Sequence, residues 1–107
     1  MISQAAAEES LDFLLNNAAD GAKIRANRLV LEEYTRVVKA EIMCQFPEMP
    51  VSAQERQAYA HPRYKAHLEV LRTAIALDTE HHFRREAADA KIRAWISQQA
   101  SERAQRI

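Results

Sequence analysis

The side chains able to do chemistry are few and scattered along the chain. Four histidines, His61, His67, His81 and His82, are the natural metal-ligand candidates. Adjacent His81 and His82 point about 100° apart on a helix and cannot easily share one ion. His82 and Glu86, at i and i+4, supply two ligands where a site needs three or four, and the H-E-x-x-H pattern is absent. A nucleophile needs a base within reach and a third group to hold it. Cys44 falls near a helix C-terminus, where the dipole disfavours a thiolate, and reads as a small buried hydrophobe. Glu32 and Glu33 lie on different sides of their helix and read as exposed acids. The lone glycine, Gly21, rules out Gly-rich phosphate loops and dinucleotide turns. The expectation is a non-enzyme with no catalytic, cofactor-binding or metal-binding residues.

Binding chemistry is better represented. Arg84, Arg85, Lys91 and Arg93, with Phe83 and Trp95 among them, form the candidate interaction surface. Glu80 stands four residues before Arg84, and Asp89 stands four after Arg85 and four before Arg93. Such pairs neutralise much of a phosphate-attracting field. Tyr34, Tyr59, Tyr64 and Trp95 have faces on which bases stack, yet aromatics at helical spacing more often anchor a core or an interface. Lys plus Arg and Asp plus Glu both total 15, a formal net charge of zero. Residues 1–60 carry −3 (6 basic, 9 acidic) and residues 61–107 carry +3 (9 basic, 6 acidic). Halves of opposite sign suit antiparallel helices, and the neutral total favours a protein partner over nucleic acid.

These residues need elements to hold them. With one Gly, and with Pro47, Pro50 and Pro62 inside a single window, the turns that barrels and sandwiches need are missing. The reading is therefore all-α. Ser3 is the expected N-cap of an N-terminal helical arm over about 3–20, with Glu8 and Glu9 behind it. Asp20-Gly21 is the expected kink or break. A first long helix follows over 22–45, with Ile24, Leu31, Val38 and Ile42 on one stripe and Val30, Tyr34 and Val37 beside it. The connection, 46–61, contains a short helix over about 53–59, capped by Ser52 and Glu55 in a reciprocal box. Pro62 opens a second long helix over 62–104, being well tolerated at the first helical position.

That second helix carries three apolar stripes: Leu68, Leu71, Ile75, His82, Ile92 and Ile96, interrupted at Asp78, Arg85 and Asp89; Val70, Ala74, Leu77, Ala88 and Trp95; and Phe83, Ala87, Ala90 and Ala94. One stripe on the first helix cannot cover three. The expectation is a single-domain, coiled-coil-like antiparallel helical hairpin that dimerises into a bundle, with Ile75 in its core. A single cysteine suits a reducing compartment, no apolar run reaches the roughly 18–20 residues of a membrane span, and the N-terminus lacks the features of a signal peptide. The expected location is the cytoplasm, away from the membrane.

Three segments carry a resemblance. They are Leu31-Glu32-Glu33-Tyr34 with Val38-Lys39-Ala40, then residues 54–64 (QERQAYAHPRY), then Trp95 with residues 99–104 (QASERA). Together they resemble small, uncharacterised helical proteins of tailed phages and prophages, encoded near recombination or replication genes. The resemblance spans about residues 22–104 and departs at Ile96-Ser97, where an Arg commonly follows the Trp. It implies an accessory role in phage DNA metabolism and weight on a connection motif of Ser52, Glu55, Arg56, Tyr59, Pro62 and Tyr64. Alternatives are a scaffolding component of virion assembly and an inhibitor of a host enzyme.

Overall fold

Ser3 opens the first helix, α1 (Gln4–Asn16): its backbone is extended and its hydroxyl accepts from the Ala6 amide at 3.1 Å. One of the orphan donors of the first turn is thereby met. The computed structural model describes residues 1–106. The break expected at Asp20-Gly21 falls instead at Asn17. There the backbone N–H and the side-chain Nδ2 both donate to the Phe13 carbonyl, at 3.0 and 3.1 Å, and tie off α1. A side-chain amide competing for a carbonyl ends the helix. The second helix, α2 (Ala18–Met43), takes Asp20 and Gly21 into its first turn, and the Gly21 amide donates to Asn17 O at 2.9 Å.

α2 stops at Met43, two residues short of the expected end, and Cys44 is exposed rather than buried. Two residues past the buried Ile42, Cys44 stands about 200° round the helix from the packed side. The third helix, α3 (Val51–Ala60), begins earlier than expected, with Pro50 at its N-cap and no side-chain cap. Ser52 therefore lies inside the first turn, and the Ser52–Glu55 box does not form. Entry into α3 is fixed instead by Pro50 at φ −58°, with Gln54 Nε2 donating to Phe46 O at 2.8 Å. The cap appears one helix later. His61 has extended backbone, and its Nδ1 accepts from the Arg63 amide at 3.0 Å as Pro62 opens the fourth helix, α4 (Pro62–Gln105).

The chain is all-α, with no strand among the described residues. Its contacts divide into two units: residues 1–22 with those from 79 onward, and residues 23–78.

In the unit of residues 23–78, Val38, Ile42 and Ala58 form the buried knot, with Met43, Phe46 and Tyr64 packed against it. From that knot the inward line of α2 runs back through Thr35, Leu31, Arg28 and Ile24 at alternating steps of three and four. On α4 the corresponding line is Tyr64, His67, Leu71, Ala74 and Asp78. This is the 3.5-residue period of a helix–helix seam. Contacts of Glu41 with Arg63, Thr35 with His67 and Arg28 with Asp78 show the two segments running antiparallel within the unit. Asp78, expected as an interruption, is buried, while Ile75, expected in the core, is 39% exposed. The reason is rotational: Asp78 follows buried Ala74 by four residues and stays on the seam, whereas Ile75 follows it by one and turns about 100° away.

In the unit of residues 1–22 with 79–106 the inward line of α1 and early α2 is Ala7, Ser10, Leu14, Asn17 and Gly21, again at steps of three and four. Ala7, Ser10 and Ala88 are buried. Gln98 closes the N-terminus in both directions: Ile2 N donates to its Oε1 at 2.7 Å, and its Nε2 donates to Ile2 O at 2.9 Å. The fully buried side chains here are small, which lets helices approach closely at those positions.

Candidate functional site

The most organised polar chemistry lies on the seam of residues 23–78. Asp78 Oδ2 accepts from Arg28 Nε at 2.5 Å, and Arg25 Nε stands 3.8 Å from Asp78 Oδ1. Arg28 reaches back with Nη1 to Glu32 at 2.6 Å. These bonds, that to Asp78 first and then that to Glu32, hold the Arg28 guanidinium above its ordinary pKa. Nearby, His67 is buried with Nε2 at 2.8 Å from Thr35 Oγ1 and 3.1 Å from the Leu31 carbonyl. A carbonyl only accepts, so this nitrogen carries the proton and donates. Through these bonds both groups join α2 to α4, the use to which buried polar groups with partners are suited.

The connection motif is placed around the same knot. Tyr59 OH accepts from Lys39 Nζ at 2.9 Å, which raises the lysine above its ordinary pKa, and the ammonium lies 4.7 Å from the Tyr59 ring centroid. Tyr59 meets Tyr64 edge to face at 5.4 Å. Glu55 stands 3.9 Å from Lys39, while Arg56 and Ser52 point to solvent. Pro62 begins α4 beside the His61 cap. Most of this motif therefore builds the turn between helices.

The candidate interaction surface is not one patch. Arg84 and Lys91 line a groove of about 340 Å³ together with Ser10 and Phe13. Arg84 is bonded to Glu80 at 2.8 Å and Arg93 to Asp89 at 2.9 Å. Arg85 is exposed, Phe83 stands outward at 61% exposure, and Trp95 is half-buried. Of the remaining histidines, His82 pairs with Glu86 at 3.1 Å on the surface. Among the described residues no three metal-ligating side chains come together. No helix among them is long and apolar enough to cross a membrane.

His81 was not singled out for its packing, and its position is the unexpected one. Its ring lies over Gly21, where an added Cβ would stand 2.5 Å from His81 Cε1, and beside the Phe13 ring at 5.9 Å. Its Nε2 is buried with no hydrogen-bond partner among the described residues. Only the coincidence of Gly21 and His81 on two inward lines signals this contact, and that requires the pairing register.

A larger signal lies outside all of these. Among the described residues the buried apolar ones are six, four of them alanine, against sixteen exposed large hydrophobic ones. Comparison with known proteins supplies no relative: no family model, curated protein or solved structure matches the chain.

Proposed function

We propose that this protein is a non-enzymatic accessory factor that works by binding other protein surfaces, first of all a second copy of itself as a dimer of antiparallel helical hairpins. The observation that carries the reading is the excess of exposed over buried apolar side chains. A surface of that kind is characteristic of chains that bury it against a partner. The Asp78 and His67 contacts support a structural use of the polar groups, and the pairing of Arg84 with Glu80 and of Arg93 with Asp89 offsets two of the four positive charges on the candidate surface. A setting in phage or prophage DNA recombination or replication, inside the cytoplasm, rests on the motifs around Tyr34, residues 54–64 and Trp95.

Titration of labelled single- and double-stranded DNA at low salt tests the reading. No binding at micromolar protein is expected. Micromolar binding that weakens steeply as salt rises would instead make the protein a DNA binder.

A further inference from the structure

Within residues 23–78 the two flanks of the α2–α4 seam differ in kind. Because the helices run antiparallel there, residues one position before each seam residue lie on the same side of both. The contact of Arg63 with Glu41 shows this directly, since each precedes its seam residue, Tyr64 and Ile42. On this flank α2 presents Lys23, Asn27, Val30, Tyr34, Val37 and Glu41, and α4 presents Arg63, Ala66, Val70, Thr73 and Leu77. Between the charged ends no position carries a charge, although every one is exposed, with Val30 at 65% and Val70 at 55%. The opposite flank carries Arg25, Glu32, Arg36, Lys39, Lys65 and Arg72. In a chain with 28% charged residues, this uncharged run is the composition of an interface centre, with Tyr34 as its aromatic anchor.

We infer that the uncharged flank, centred on Val30, Tyr34, Val37, Val70 and Leu77, is the surface on which a second copy of this chain docks, α2 against α2 in antiparallel register. The inference rests on the dimer reading above and names its surface. Self-complementarity selects the occupant. A two-fold axis midway between Lys23 and Glu41 sets Lys23 of one copy against Glu41 of the other, Asn27 against Val37, and Val30 against Tyr34. On α2 the end residues pair with opposite sign, Lys23 joining the Glu41 that Arg63 of its own copy also holds, while the centre meets only uncharged groups. An isologous interface requires this symmetry of a single strip.

Sedimentation equilibrium on the full chain, with circular dichroism to verify helicity, tests it. The wild type is expected to be a dimer. Val30→Glu, at a largely exposed position, is expected to raise the dimer dissociation constant at least tenfold, and Ile75→Glu on the other flank to leave it within about twofold. A monomeric wild type at micromolar concentration overturns the dimer reading itself. A wild-type dimer that Val30→Glu leaves intact overturns the assigned surface and keeps the dimer. Cross-linking gives a readout independent of any loss of stability. In a Cys44→Ser background, mixed Val30→Cys and Tyr34→Cys chains are expected to oxidise to a mixed disulfide-linked dimer. Failure to do so while sedimentation shows a dimer overturns the register.

Discussion

The two units solve the same packing problem with different materials. In residues 23–78 the seam ends in a knot of Val38, Ile42 and Ala58, and its buried polar groups, Asp78 and His67, have partners. In residues 1–22 with 79–106 the inward line is Ala7, Ser10, Leu14, Asn17 and Gly21, and the buried Nε2 of His81 has no partner among the described residues. Where the fully buried residues are small, as Ala7, Ser10 and Ala88 are, a seam gains close approach and dispersion contacts but buries little apolar area per turn. It is also sensitive to added volume, whereas an apolar knot is sensitive to lost volume. Opposite substitutions should therefore damage the two units.

The largest effect is expected from deletion in the knot. Ile42 is fully buried. Ile42→Ala is expected to cost about 2–5 kcal/mol, read from denaturant midpoints at fixed protein concentration. Leu14→Ala, on the half-buried inward line of the other unit, should cost less. Equal costs would mean that the knot has no special share in stability and would erase the contrast.

Addition is the complementary test. Alanine has the higher helix propensity by about 1 kcal/mol, so Gly21→Ala would ordinarily stabilise α2. Here the new methyl meets the His81 ring, 2.5 Å from Cε1. Overpacking of this kind costs about 1–3 kcal/mol against that gain, so a net loss of up to about 2 kcal/mol is expected. In a His81→Ala background the same substitution should turn stabilising. A double-mutant cycle reads that change of sign directly, and additive effects would mean that the ring is free to swing aside.

How much of this was legible in the sequence follows from where the information sits. The all-α class, the cap at Ser3 and the opening of α4 at Pro62 are local, set by residue type and the absence of breakers, and they read correctly. The seam of α4 did not. Apolar stripes drew attention to Ile75, while the buried positions are His67, Ala74 and Asp78 in one unit, with the buried Nε2 of His81 in the other, and their packing depends on partners far along the chain. Asp78 reads as an interruption until Arg28 is known to face it at 2.5 Å. Gly21 reads as a breaker until His81 is known to lie on it. The uncharged flank was half visible, since Val30, Tyr34 and Val37 stand together in the sequence, but Val70 and Leu77 join them only once the antiparallel register is fixed.

The smallest effects separate a real cap from an apparent one. Ser3 and Ser52 each precede a helical run, and Ser52 has the stronger sequence signature because Glu55 follows at the box position. Only Ser3 accepts a bond from the helix, whereas α3 enters through Pro50 with Ser52 already inside its first turn. Ser3→Ala is therefore expected to cost about 1 kcal/mol. Ser52→Ala is expected to stay within about 0.5 kcal/mol, the range of an exposed substitution that loses no partner. Amide exchange adds a local readout, since loss of the Ser3 cap should speed exchange at Ala6, whereas Ser52→Ala should leave Gln54 and Glu55 unchanged. A Ser52→Ala cost matching that of Ser3→Ala would restore the capping box and move the start of α3. The entry would then depend on a serine hydroxyl instead of the fixed φ of Pro50 and the hold of Gln54 on the Phe46 carbonyl.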